Sequence, residues 1–334
     1  MADQEKDTTL LTLNSPQEEV GHHPKSFDDY LGQAALKEKL QLYTQAALLR
    51  GEPLDHLLLF GPPGLGKTTL AGIIARALNV NIIVCSGPMM ERTGDLVALL
   101  TNLGPRDVLF IDEIHRMHTS VEEVLYSAME HFRVDIILGQ GAGAKSVNLP
   151  ISPFTLIGAT TKSGMLSAPL RSRFGITERL NFYEDHELQE IVTQSVAALQ
   201  CTIDADAALL VAQSARGTPR IAKNIVRRVR DIAQMAQTNH ITRAVAARTL
   251  QFLGIDSTGL CQVDHAMLRA IIDHYSGGPV GLETIAAMIG EDSETIEEVY
   301  EPFLIRKGLL ERTPRGRRVP SAAYAILRGE ARRS

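Results

Sequence analysis

Between residues 57 and 180, short apolar runs alternate with longer stretches whose apolar residues recur at three- and four-residue spacing. The runs at 57–60, 81–85, 107–111 and 154–159 predict strands, with 178–180 a weaker fifth. The stretches at 67–78, 94–103 and 121–129 predict helices. Strand and helix in turn is the rhythm of a parallel sheet covered by helices. One segment breaks it. Val134-Asp135-Ile136-Ile137-Leu138, a glycine-rich run and Ser146-Val147-Asn148-Leu149 predict a hairpin over 134–149. Ile136, Ile137 and Leu138 in succession cannot all face inward, because strand neighbours alternate faces. The hairpin should therefore expose apolar surface of the kind that docks a partner.

After about Phe182 the strand pattern stops. The segments 186–199, 205–215, 219–236 and 241–253 carry helical spacing, with Pro219 suited to a first turn. Ile221, Ile225, Val229 and Ile232 mark one expected buried face. A further unit begins near Asp256, with helices expected at 263–275, 282–289 and 293–299. A basic hairpin follows around Pro314-Arg315-Gly316. Helices followed by such a hairpin predict a winged helix. The expected plan is α/β: a flexible leader over 1–24, a large parallel-sheet domain over 25–182, a small all-helical lid over 183–255 and a winged-helix head over 256–334.

Composition changes this picture little. A chain of 334 residues, 44% hydrophobic and 22% charged, is long enough for two or three domains. No apolar run reaches the roughly 18–20 residues that span a bilayer. The leader has no signal-peptide core, so a cytoplasmic protein is expected. Three dispersed cysteines, Cys85, Cys201 and Cys261, are too few for a zinc site or disulfide framework and are expected to be small buried residues. The net charge of −5 argues mildly against a nucleic-acid coat. From Arg306 onward, however, nine basic residues face only Glu311 and Glu330. A local basic surface on an acidic chain points to a localised polyanion contact.

The candidate chemistry is concentrated in the first domain. Gly61-Pro62-Pro63-Gly64-Leu65-Gly66-Lys67-Thr68 fits the full P-loop pattern, and it follows a strand and opens a helix. Its glycines allow successive N–H groups to face phosphate oxygens. Lys67 reaches the β- and γ-phosphates, Gly64 and Thr69 complete the cradle, and the Thr68 hydroxyl suits Mg²⁺. Val108-Leu109-Phe110-Ile111 is a buried strand ending in Asp112-Glu113. Asp112 is expected to hold the metal, and Glu113 to orient or deprotonate the attacking water. A nucleotide switch needs the aspartate but not the adjacent acid, so the pair points to an ATPase that turns over.

These residues resemble the AAA+ class, and within it the RuvB family of branch-migration motors, from about Pro24 to Leu327. Besides the P-loop and Asp112-Glu113-Ile114-His115, the segment 154–161 is similar to that family's sensor-1 strand. Pro169-Leu170-Arg171-Ser172-Arg173-Phe174-Gly175 is similar to its arginine-finger box, and Gly217-Thr218-Pro219-Arg220 to its sensor 2. Arg312-Thr313-Pro314-Arg315-Gly316-Arg317 is similar to its DNA-contacting wing. The resemblance implies that Thr160 or Thr161 senses the γ-phosphate. It also implies that Arg173, in preference to Arg171, is the finger reaching a neighbouring subunit's nucleotide, that Arg220 senses phosphates in cis, and that Tyr183 lies beside the adenine. Glu130-His131-Phe132 aligns with residues that approach the neighbour's nucleotide. His22-His23 stands where the family carries an Ile-Arg pair at the base and ribose, exchanging a fixed charge for imidazoles.

The same resemblance implies a hexameric ring, junction and duplex DNA as substrate, a RuvA-like partner on the hairpin, and contact with a RuvC-type resolvase. On DNA, the helix expected at 293–299 carries Glu294, Glu297 and Glu298, which phosphates would repel. The wing arginines Arg312, Arg315 and Arg317 are the better grip, through the backbone and without sequence readout. An ATP-dependent clamp loader or initiator would share the P-loop and a DNA domain but would not translocate. A protein unfoldase would need an aromatic pore loop, which is not evident.

Overall fold

A computed structural model describes residues 24–138, 145–256, 258–321 and 323–324. His22 and His23 lie outside the described residues, as do the side chains at 136–138 that the hairpin expectation invoked. The chain divides into two compact units, one ending at Asn181 and the other starting at Phe182.

The first unit runs α1 (Ala34–Arg50), β1 (Leu57–Phe60), α2 (Lys67–Leu78), β2 (Ile82–Ser86), α3 (Thr93–Thr101), β3 (Val108–Asp112) and α4 (Thr119–His131). It continues with β4 (Arg133–Leu138), β5 (Lys145–Pro150), β6 (Thr155–Thr160), α5 (Ala168–Ser172) and β7 (Ile176–Arg179). Its sheet has the order β2-β3-β6-β1-β7, every pairing parallel. Both faces are covered, so β3 and β6 are apolar almost throughout and buried. Phe60 pairs with Thr160 and Ile111 with Gly158. The C-terminal ends of β3, β6 and β1 thus lie side by side, carrying Asp112-Glu113, Thr160-Thr161 and the P-loop. The expected hairpin is β4 with β5, antiparallel, with Val134 opposite Leu149. Val134 is buried and Val147 exposed.

Helix α1 has no counterpart in the pattern analysis. Its buried side is Leu36, Leu40, Thr44 and Ala47, but Leu42, Leu48 and Leu49 stand exposed on the other side. Apolar residues all round erase the periodicity that reveals an amphipathic helix. The thiol of Cys85 lies against β3, and burial pushes it up to about 12, a protonated packing group.

In the second unit come α6 (Asp185–Ala198), β8 (Thr202–Ile203), α7 (Ala205–Ser214), α8 (Pro219–Met235), β9 (His240–Ile241) and α9 (Arg243–Phe252). After them come α10 (Gln262–Tyr275), α11 (Leu282–Ile289), α12 (Ser293–Thr295), α13 (Glu301–Arg306), β10 (Glu311–Thr313) and β11 (Gly316–Arg318). Three details differ from expectation. Strands do not stop at Phe182: β8 and β9 form a two-residue parallel pair. The buried face of α8 is Ala222, Ile225, Val226, Val229 and Ala233, with Ile221 and Ile232 on its margins. The helix expected to end at 299 passes through a π turn at Ile296–Tyr300 into α13. Pro302 starts that helix without an N–H to donate, which favours a shifted bonding pattern just before it.

Among the described residues of this unit, two carboxylates have no exposed surface. Glu301 is paired with Arg312 and Arg317, and Asp264 with Arg216. Removing one partner from a buried pair of this kind costs about 3–5 kcal/mol, because the other charge stays behind.

His56, at the entrance to β1, is held as a neutral ring. Its Nδ1 accepts from the Leu156 N–H at 2.9 Å, which leaves Nε2–H to donate to the Met129 carbonyl at 3.1 Å. Burial between Phe132 and Phe154 holds its pKa below 6.5. The unfolded chain therefore binds the proton first as pH falls. The contribution is present above about 6.5 and is lost as pH falls from there through the lower folded-state value. Melting temperature is expected to fall between about pH 7.5 and 5.5 more steeply in the parent than in His56→Gln. Equal slopes in thermal melts would remove His56 as the cause.

Candidate functional site

The P-loop backbone requires glycine. Gly61, Gly64 and Gly66 have φ of 146°, 78° and 101°, and a Cβ on Gly61 would lie 2.5 Å from the Leu180 carbonyl oxygen. Beneath the loop, the Tyr30 hydroxyl donates to the Leu65 carbonyl at 3.3 Å, and a Cβ on Gly66 would stand 3.0 Å from the same hydroxyl oxygen. Tyr30 is thus a positioning residue of the loop that no motif marked. Lys67 is buried and donates from Nζ to the carbonyls of Gly61 at 2.8 Å and Pro62 at 3.0 Å. Thr68 is exposed and Thr69 half-buried in the first turn of α2, whose N-terminal N–H groups and dipole favour an anion.

At the end of β3, the Glu113 N–H donates to Asp112 Oδ1 at 3.0 Å, which leaves the second carboxylate oxygen of Asp112 for another partner. Glu113 itself has φ 47° and ψ 45°, the left-handed region that a non-glycine residue enters at a cost of about 1–3 kcal/mol. Its carbonyl passes tightly against Gly87, where a Cβ would come within 2.5 Å of the oxygen. The strained turn aims the carboxylate across the sheet edge. Glu113 Oε2 lies 3.1 Å from His115 Nδ1 and accepts from the Thr161 hydroxyl at 3.4 Å. His115 Nδ1 is also 2.9 Å from Thr160 Oγ1, which accepts from the Lys162 N–H. The two sensor-1 alternatives therefore separate. Thr160 is fully buried and braces His115, while Thr161 touches Glu113. His115, quoted in the motif without a role, is a second brace for Glu113.

The finger box is built around a different carboxylate. Tyr126 and Ser167 both donate to Glu122 Oε2 at 2.8 Å, fixing the start of α5 against α4. The Arg173 guanidinium lies 4.6 Å over the Tyr126 ring, donates to the Pro169 carbonyl at 2.7 Å and pairs with Glu130 at 3.1 Å. Arg171 instead donates to the carbonyls of Ser163 and Leu166, bracing its own loop. Glu130 and Arg173, both expected at a neighbour's nucleotide, are thus adjacent on one chain, with His131 exposed beside them. Phe132 departs from that group. It ends α4 in the left-handed region, and its ring packs in the core 6.1 Å from Phe154. Its alternation with the exposed His131 follows from the helix ending between them.

In the second unit, Tyr183 is buried and its N–H donates to the Gly217 carbonyl at 2.9 Å, while Arg220 is exposed in the first turn of α8. On the wing, the three arginines have different settings, with Arg312 and Arg315 exposed and Arg317 partly buried. Arg312 donates to Glu301 at 2.7 Å and pairs with Glu297 at 3.3 Å, and Arg317 is likewise bound to Glu301. Both anchor the hairpin to α13. Arg315, at the exposed tip, has no side-chain partner among the described residues.

Comparison with known proteins follows this division. The family model described as the Holliday junction DNA helicase RuvB P-loop domain matches residues 22–180. The RuvB AAA lid domain matches 183–256, and the RuvB C-terminal winged helix domain 257–328. A Holliday junction branch migration complex subunit RuvB of Staphylococcus haemolyticus is 52% identical over 306 residues, covering 92% of each chain. Among solved structures, the Thermotoga maritima RuvB Holliday junction branch migration motor is 49% identical. It covers 92% of this chain and 98% of its own, with a TM-score of 0.83. A point mutant of the same Thermotoga protein superposes with a TM-score of 0.84 at the same identity and coverage.

The different settings of the two threonines give different expected outcomes. Thr161→Val should slow ATP hydrolysis by about 10–100-fold with nucleotide affinity retained, since it removes a hydroxyl from Glu113, the acid expected to orient the water. Thr160→Val should instead lower the melting temperature, as it strips a buried partner from His115. Steady-state rates and thermal melts check both, and identical profiles for the two variants would refute the distinction.

Proposed function

The chain belongs to the RuvB family, and on that premise we propose how this ATP-driven motor of Holliday-junction branch migration divides the work among its residues. It is an ATPase with a nucleotide-binding P-loop domain, an AAA lid and a winged-helix domain. The observation that carries the catalytic assignment is the meeting of Lys67, Asp112-Glu113 and Thr161 at one edge of the sheet.

Lys67 gives up its contacts with Gly61 and Pro62 to the β- and γ-phosphate oxygens, which the N–H groups at the start of α2 also face. The hard oxygen donors of Thr68 and the free oxygen of Asp112 fit Mg²⁺, which when bound neutralises charge on the β- and γ-phosphates. Glu113 orients the attacking water and takes its proton, with Thr161 and His115 fixing the carboxylate. The Arg173 guanidinium stabilises the spread charge of the transferring phosphoryl group on an adjacent subunit, an effect of about 10³–10⁵ in rate for residues of this type. For that it exchanges Glu130 for phosphate. Arg220 and Tyr183 report the nucleotide to the lid.

A finger acting in trans requires a ring, which we assign as a hexamer. The head grips duplex and junction DNA through Arg315 at the wing tip, on the backbone and without sequence preference. The hairpin at 134–149, with exposed Val147, docks a RuvA-like junction-binding protein. A RuvC-type resolvase would meet the same assembly. Among the described residues no helix is long and apolar enough to cross a membrane, and we assign the protein to the cytoplasm.

Two outcomes test this assignment. Glu113→Gln and Arg173→Ala should each abolish DNA-stimulated ATP hydrolysis while binding ATP, and mixing them should restore part of it. Restoration follows because some interfaces then pair one intact Glu113 with one intact Arg173. No recovery on mixing, with mixed rings verified, would place the finger in cis. Arg315→Ala should weaken DNA binding evenly across sequences and lower the log–log salt slope by about one in titrations. An unchanged slope would move the grip elsewhere.

A further inference from the structure

The second unit contains an ion pair that none of the assigned activities uses. Arg216 directly precedes the sensor-2 turn Gly217-Thr218-Pro219-Arg220, and it is held in the left-handed region at φ 57°. Its side chain is turned away from that turn and into the winged-helix part. There it pairs with Asp264 of α10, which has no exposed surface. The guanidinium also lies 4.6 Å over Phe303 of α13 and 5.4 Å over Tyr300. Asp264 is itself fixed, accepting from the Cys261 N–H at 2.8 Å.

A second arginine makes the reverse connection. Arg306, on α13, donates to the Tyr183 carbonyl at 2.9 Å, lies 5.7 Å over Phe182 and pairs with Glu184 at 3.6 Å. The two chain segments so gripped are joined to each other, because the Tyr183 N–H donates to the Gly217 carbonyl. A Cβ on Gly217 would meet the Arg306 guanidinium and come within 3.1 Å of Phe182 Cβ, so the arginine lies directly against this backbone.

We propose that Arg216–Asp264 and Arg306–Tyr183 form a clasp that transmits displacement of the sensor-2 turn directly to the winged-helix head. The proposal rests on Arg220 and Tyr183 being the nucleotide-reporting residues of the lid. Arg216, Asp264 and Arg306 are positioning residues and touch neither nucleotide nor DNA, and Tyr183 enters the clasp through its carbonyl. The geometry suits transmission for a physical reason. A buried ion pair with a directed hydrogen bond and two stacked rings resists both extension and shear, and its close-packed surroundings transmit the strain. Arg216 and Arg306 lie on opposite sides of the joint, one reaching out of the lid and one reaching into it. A rotation of either part therefore loads one of them.

The test uses the full-length protein with a RuvA-type partner and a four-way junction, measuring ATP hydrolysed and base pairs migrated in the same reaction. Asp264→Asn and Arg306→Gln should each keep ATP hydrolysis within about twofold of the parent while base pairs moved per ATP fall about fivefold or more. Proportional loss of both activities, or an unchanged ratio, would overturn the clasp. If Asp264→Asn lowers the melting temperature below the assay range, Arg306→Gln decides alone, since its side chain is 31% exposed. Arg220→Ala tests the premise separately. Undiminished hydrolysis there would overturn the sensing role and the proposal with it, whereas a proportional loss in the clasp variants overturns the clasp alone.

Discussion

Strand β6 is hydrogen-bonded in parallel between β3 and β1, and the chemistry of the first unit depends on that placement. The pairing of Phe60 with Thr160 continues into a bond from the Gly61 N–H to the Thr160 carbonyl at 3.1 Å, so the P-loop begins tied to the sensor strand. The pairing of Ile111 with Gly158 sets Asp112-Glu113 on the other side. A parallel register moves in whole residues, and a slip of one would turn each side chain to the opposite face. Lysine, acid and threonine are therefore positioned together or not at all. The strain in the Glu113 turn is sustained by the same frame, since Gly87 and the buried Ile114 leave it one way to fold.

The second unit is organised by buried carboxylates. Glu301 collects the two wing arginines and fixes the hairpin to α13, and Asp264 holds Arg216. Burial of an acid is costly unless its charge is met, so each acid dictates where arginines must go. The basic excess after Arg306 is accordingly smaller in effect than its charge count indicates. Arg312, Arg317 and Arg318 answer acids of the same unit, and Arg315 at the tip faces outward.

What the sequence made legible was local. The P-loop, the acid pair and the finger box are contiguous strings whose chemistry dictates their spacing, and the four strongest strands were marked by continuous apolar runs. The missed features depend on residues far apart in the chain. Tyr30 reaches the loop across 35 positions, and Arg216 reaches Asp264 across 48. Neither tyrosine nor arginine is unusual where it stands, so no local signal identifies the pair. The wing arginines were legible as charge but not as partners of Glu301. Helix α1 was hidden by leucines on both sides, and Phe132 was grouped with its neighbours through the family resemblance, although the residues alone read as the end of a helix.

The lysine of the P-loop is already engaged, resting on the Gly61 and Pro62 carbonyls. Phosphate therefore enters by exchange, and its gain is the difference between two sets of acceptors rather than the full strength of either. The tethered carbonyls compete at a high effective concentration, so a weak acceptor such as water or a monovalent anion is outbid. A multiply charged phosphate chain meets the lysine, the helix start and the loop N–H groups at once, and it prevails. The lysine's own two carbonyl contacts thus set the level that any phosphate acceptor has to exceed.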